Sequence, residues 1–337
     1  MQARLVVPLL AVAVAIAFPA AAAAAPTGQA ASPLSTATAA ADWGGRYTTP
    51  TGETISLFVS ESYPVEQGFV DRWLAYLSSL AHGPELSELT LYLRTPGEVR
   101  RRCGAEALAC YSPVAKQIFT PAVDPGTRIS AESILAHEYG HHVASNRNND
   151  PWEAVEYGTK RWATHEGVCA ESRAGRMSPG SQNPISYRTN PGEGFAEAYR
   201  VLNERKLGRA ESEWQIVSRI FYPDDTALAL LEQDIASPWT ASTSSALTGS
   251  FTRRAVKART HGLATPLDGR LEVTLRVPAS ARLRVELLAA NGRTLTKTTA
   301  SGTTRTLRAE VCGSRTHSLR VTRLSGAGTY RLAISKP

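Results

Sequence analysis

Residues 130–145 read SAESILAHEYGHHVAS, and this stretch decides the fold of the larger part of the chain. Ser130 is a fair helix N-cap, and Glu132 falls in the first turn, where a negative charge offsets the helix dipole. At about 100° per residue, His137 and His141 lie roughly 40° apart and one turn along the axis, so both imidazoles reach one metal ion. Glu138 is offset from that line and reaches a metal-bound water rather than the metal. Zinc accepts such nitrogen ligands and keeps a position for water. Gly140 in mid-helix costs about 1 kcal/mol relative to Ala, which a close packing partner beneath the site would explain. His142 points elsewhere on the helix and is expected behind the ligands or at the surface.

Two imidazoles need a third ligand. A downstream histidine is absent, because Ala144 and Arg147 stand where an HExxHxxGxxH pattern needs Gly and His. An Asp following Gly-Thr is absent too, since Gly158-Thr159 leads into Lys160. Carboxylates on a later helix remain. Asn190-Pro191-Gly192-Glu193 is a helix start, with Asn as N-cap and Pro at the first helical position. It places Glu193 and Glu197 one turn apart on one face. One of the two can bind the metal while the other accepts a hydrogen bond from a ligand histidine. Glu166 and Glu171 are rival third ligands.

Upstream, Thr54–Ser60 and Leu89–Leu93 read as strands, with Glu66–Leu80 a helix between them and Gln117–Thr120 a further edge strand. Text of helical character runs from Ser130 to about Ala236, its last helix capped by Asp224 or Asp225. Residues 241–252 read as a Ser/Thr-rich linker. Beyond it the period becomes two: Leu271, Val273, Leu275 and Val277, then Leu283, Val285 and Leu287, with a hairpin turn at Asn291-Gly292. The expected architecture is therefore an α+β domain over residues 46–240, a small sheet followed by helices, and then an all-β sandwich over 253–337.

Charge divides the same way. Residues 246–337 hold 17 Lys and Arg against 4 Asp and Glu, while the rest holds 20 against 26. A basic tail unit could hold the protein on an anionic cell envelope. Its arginines are scattered over strands without an aromatic platform, which argues against nucleic acid. Residues 1–25 read as a secretory signal peptide: Arg4, an apolar core of about 14 residues from Leu5 to Phe18, and an alanine run. That core is short of the roughly 20 residues needed to span a bilayer. Residues 26–45 read as a disordered leader. Four cysteines without a CxxC pair suit disulfides in an oxidising compartment. Cys103 with Cys110 and Cys169 with Cys312 is one of three possible connectivities.

The pattern HEYGHH followed by the helix Glu193-Gly-Phe-Ala-Glu197 resembles the zincin metallopeptidases whose third ligand is a glutamate, the gluzincin-like group. Arg188-Thr189-Asn190 ahead of that helix is similar to the catalytic domain of anthrax lethal factor and to secreted actinobacterial proteins. The resemblance implies a zincin-like fold, one zinc ion held by His137, His141 and Glu193, and Glu138 as catalytic base. It also implies that Tyr187 steadies the oxyanion, although the Tyr187-to-Glu193 spacing is one residue shorter than in lethal factor. Thr265-Pro-Leu-Asp-Gly269, Val311-Cys-Gly-Ser-Arg315 and Gly328-Thr-Tyr-Arg-Leu332 resemble the bacterial pre-peptidase C-terminal domain, which accompanies secreted peptidases.

The expectation is a secreted, monomeric zinc metalloendopeptidase that hydrolyses peptide bonds with a Glu138-assisted, zinc-bound water. Two alternatives stand beside it: a non-catalytic envelope-binding protein with a structural zinc domain, and a zinc amidase acting on cell-wall crosslinks.

Overall fold

Alternating apolar residues build the first sheet. Strands β1 (Trp43–Thr48), β2 (Thr54–Val59), β3 (Thr90–Arg94), β4 (Cys110–Ser112) and β5 (Gln117–Pro121) assemble in the order β1-β2-β3-β5-β4. The pairs β2–β3 and β3–β5 are parallel, and the two edge strands are antiparallel to their neighbours. One face buries Ile55, Leu57, Val59, Leu91, Leu93 and Ile118. Helix α1 (Gln67–Ser79) contributes Val70, Trp73, Leu74 and Leu77 to the same core. Helix α2 (Pro96–Cys103) starts with a capping box between Thr95 and Glu98. The computed structural model describes residues 42–254 and 257–337.

Helix α3 (Ala131–Ser145) carries the two histidines, and the Ser130 hydroxyl accepts from the Ser133 amide as its cap. Then follow β6 (Asn148–Asn149), β7 (Trp152–Glu153), α4 (Ala154–Tyr157), α5 (Lys160–His165), α6 (Val168–Arg173), α7 (Pro191–Lys206) and α8 (Asp225–Ala236). The expected helical run is thus broken into segments, with irregular chain before and after α7. Asp224 rather than Asp225 caps α8, accepting from the Ala227 amide. Helix α7 lies against α3 and is buried along nearly its whole length. The approach is closest at Gly140: a Cβ there would sit 2.9 Å from the Ala196 Cα and 3.1 Å from the Tyr199 Cβ. The glycine that weakens α3 is what admits α7.

The C-terminal portion is all β. Strands β8 (Thr243–Phe251), β9 (Ala258–Thr265), β10 (Gly269–Arg276), β11 (Ala281–Leu288), β12 (Thr294–Ser301), β13 (Thr304–Val311), β14 (Arg315–Gly326) and β15 (Gly328–Lys336) form two antiparallel sheets, β13-β10-β15-β8 and β12-β11-β14-β9. Leu271, Val273, Leu275, Leu283, Val285, Leu319 and Leu332 fill one core between them, as in a sandwich. Residues 241–252, expected as a linker, instead carry β8. An edge strand buries only alternate residues, and in β8 these are Leu247 in part and Phe251, so its Ser and Thr remain outside. The leader expected over 26–45 is likewise shortened, since Trp43, Gly44 and Gly45 belong to β1. The rest of that leader and the signal segment 1–25 lie outside the described residues.

Two disulfides pair Cys103 with Cys110 and Cys169 with Cys312, the second tying α6 to the turn after β13. Beside it the buried Lys160 ammonium donates to the carbonyl oxygens of Asp150 and Asp268 at 2.7 and 3.0 Å. It also lies 4.3 Å from the Trp239 ring centre. No helix among the described residues is long and apolar enough to cross a membrane.

Candidate metal centre

The packing of α3 on α7 brings His137, His141 and Glu193 together, with one ligand atom of each within 4.8 Å of the others. A single Glu193 carboxylate oxygen lies 3.2 Å from the Nε2 atoms of both rings. Two nitrogens and an oxygen at this spacing form a donor set that could hold one metal ion. The Nδ1 of His137 donates to Glu197 at 3.0 Å, which turns its Nε2 toward the centre. Glu197 therefore orients a histidine from behind, as one member of the helix-face pair was expected to do.

The rival carboxylates lie elsewhere. Glu171 is taken up by Arg176. Glu166 sits near His165 and Asp224, where burial pushes its pKa up to about 7. His142 is fully buried. Its Nε2 donates to the Glu85 carbonyl at 2.8 Å, and its Nδ1 faces the Tyr111 hydroxyl at 3.1 Å. It fixes α3 against the sheet region and takes no part in the cluster.

Behind the cluster runs a chain of buried charges along one face of α7. Arg200 donates to both Glu197 oxygens at 2.7 and 3.0 Å and also pairs with Glu204. Glu204 in turn accepts from Ser133 of α3 at 2.7 Å and from Ser212 at 2.8 Å. Charges this deep are tolerated because each is answered by another. Arg200 and Glu204 were not singled out in the sequence. The signal was present, because 193, 197, 200 and 204 follow the helical repeat, but charges at that spacing are usually a solvated face.

The electrostatics follow from burial and these contacts. Burial alone would lower the His137 pKa, yet its bonds to Glu193 and Glu197 outweigh that and hold it up at about 10. Burial would raise Glu197, but His137 and Arg200 bring it down to about 2. Glu193 is held well below the ordinary carboxylate range against its burial by His141 and His137. Burial pushes Glu138 up, with the two histidines opposing. Burial and the nearby charge of Glu193 raise the Tyr187 phenol.

The cluster opens into a cavity of about 840 Å³. Its walls include the disulfide loop from Cys103 to Cys110 and the loop bearing Tyr187 and Asn190, with apolar patches at Leu108, Ile134 and Ile216. The Asn190 side chain accepts from the Gly192 and Gly180 amides at 3.0 and 3.2 Å, anchoring the Tyr187 loop to the start of α7. All six residues expected at the centre, His137, Glu138, His141, Tyr187, Glu193 and Glu197, line this cavity.

No family model and no curated protein matches the chain. Among solved structures it is similar to the pre-peptidase C-terminal domain of a Bacillus anthracis collagenase, at 13% identity over 27% of this chain and 87% of that one, TM-score 0.25. It is similar also to the Aeromonas hydrophila PliG, a periplasmic inhibitor of g-type lysozyme, at 16% identity over 28% and 86%, TM-score 0.22. A third is the Yersinia pseudotuberculosis-derived mitogen, at 12% identity over 28% and 87%, TM-score 0.22. TM-scores this low carry no argument about fold or activity. The chain is thus described by its own geometry: a mixed α/β portion with a three-residue group able to hold a metal ion, followed by an all-β portion.

Proposed function

We propose that the chain is a secreted zinc-dependent metallopeptidase. The observation that carries this reading is the convergence of His137, His141 and Glu193 in a cleft that Glu138 also lines. The two imidazoles and the Glu193 carboxylate would hold the zinc. When bound, it would polarise a scissile carbonyl and lower the pKa of water toward about 7.

The protein's own groups would supply the rest. Glu138 takes a proton from the attacking water and returns it to the leaving amine. Burial raises its proton affinity, the direction a base working near neutral pH needs. Tyr187 keeps its proton and so can donate to the oxygen that becomes negative. Glu197 and Arg200 hold the His137 ring in place. The disulfides fit the oxidising setting of an exported protein. A carboxylate at the position of Glu138 favours hydrolysis over a purely structural zinc site, which would gain nothing from it.

Metal analysis of the purified protein, together with casein or gelatin cleavage, tests the reading. Glu138→Gln should keep its zinc and lose turnover by about 10²–10⁴-fold. Glu193→Ala should lose zinc and activity together. Zinc-free wild-type protein, or full cleavage by Glu138→Gln, defeats it.

A further inference from the structure

A second cavity, of about 720 Å³, opens between α6 and the sandwich, remote in sequence from the histidine helix. Arg173 of α6 lines it, together with Arg293 after the β11–β12 turn, Arg308 of β13 and Arg315 of β14. Glu310 is the one carboxylate in that wall. It is taken by Arg173, which donates to its side chain at 2.9 Å and to its carbonyl at 3.2 Å. Arg308 donates instead to Glu272 at 2.7 Å. Arg293 and Arg315 have no carboxylate partner among the described residues. Cys312 also lines the cavity, so the Cys169–Cys312 bridge holds its two walls in register.

We propose that this cavity binds a phosphate-bearing anion, with Arg293 and Arg315 as its principal contacts. With Arg173 and Arg308 already paired, the exposed Arg293 and Arg315 leave this wall of the recess with two positive charges that no carboxylate answers, a place an anion can fill. A carboxylate offers a single edge to one guanidinium fork. A phosphate group offers oxygens in several directions, so it can accept from two forks at once. No Trp, Tyr or Phe lines the recess, so recognition rests on charge rather than on stacking of a base or sugar ring. The basic charge of the C-terminal portion, diffuse in the sequence, thereby acquires a place and a ligand chemistry. This inference stands independently of the metallopeptidase reading.

The test uses the whole chain and isothermal titration with three probes: inorganic phosphate, poly(glycerol phosphate) and neutral dextran. Wild type should bind at least one phosphate probe saturably and leave dextran unbound. Arg293→Ala with Arg315→Ala should weaken that binding by about tenfold or more, the loss of a charge-assisted hydrogen bond. Arg293→Lys with Arg315→Lys keeps the charge but not the fork, and should weaken it by about threefold or more. This pair also guards against misfolding of the alanine pair. Arg276→Ala with Arg331→Ala removes the same charge from two exposed arginines that face each other across β10 and β15, outside the cavity wall. That control should cost less than about twofold, since it removes only long-range attraction. Binding of inorganic phosphate alone assigns a small-anion site, and binding of the polymer alone assigns a phosphodiester chain. The proposal fails if wild type binds neither phosphate probe, or if the control pair weakens binding as much as the cavity pair.

Discussion

The seam between α3 and α7 and the core of the sandwich bury their residues on opposite principles. In the seam, Glu193, Glu197, Arg200 and Glu204 are all at most 6% exposed; Arg200 pairs with Glu197 and Glu204, and Glu193 pairs with His137 and His141. In the sandwich the cluster between the sheets is mainly apolar, its buried Thr265 and His317 hydrogen-bond to each other, and the surplus of arginine faces outward. A core of the second kind is stabilised by area alone and tolerates local repacking. One of the first kind requires each member, because losing one partner leaves the next charge buried and unanswered. The contrast fits a division of labour in which the sandwich contributes stability and the seam contributes position.

Removing Arg200 should test that contrast most severely. Arg200→Ala strands Glu197 and Glu204, and an unfolding titration should show a loss of about 3–5 kcal/mol. In the sandwich, Leu319→Ala empties a fully buried apolar position and should cost about 3 kcal/mol, with metal content unchanged. If the Arg200 variant were as stable as wild type, the seam would not be the coupled unit described. Gly140→Ala adds a methyl group against the α7 backbone. Ala is the better helix former, yet the clash should win by about 1–3 kcal/mol, read as a lower melting temperature.

The smallest effect concerns Glu166, a half-buried carboxyl without the guanidinium that steadies Glu197. Its pKa is raised to about 7 from an ordinary 4.5, chiefly by burial. The folded state therefore holds its proton more tightly than the unfolded chain. The contribution is complete below about pH 4.5 and is lost as pH rises toward 7. After allowance for solvent screening it is on the order of 1 kcal/mol. Glu166→Gln should flatten that part of the stability–pH curve, and an unchanged slope would show that Glu166 is solvated in the folded state.

The parts of the molecule legible in the sequence are those with a strong local period. The spacing of His137 and His141, the Asn190 cap and the alternation in β10 and β11 each state their structure within one or two turns or a few residues. Gly140 was readable as a packing device because its helix cost demands a return. What escaped were features that depend on a distant partner. Strand β8 reads as linker because its Ser and Thr residues gain order only by pairing with β15. Strand β4 is three residues long and exists through its ladder with β5. Arg200 and Glu204 look like surface charges until Ser133 and Ser212 are brought against them. Glu193 lay between these cases: its helix was legible, but its grouping with both His137 and His141, which Glu197, Glu166 and Glu171 do not share, needed the crossing of two helices.

The bridge between Cys169 and Cys312 decides what becomes of the molecule when its chain is cut. It joins segments 143 residues apart, on either side of the connector from Ser237 to Ser242. A protease that nicks this connector severs the peptide chain without releasing the sandwich. The two halves would travel as one particle under non-reducing conditions and part only when a thiol opens the bridge.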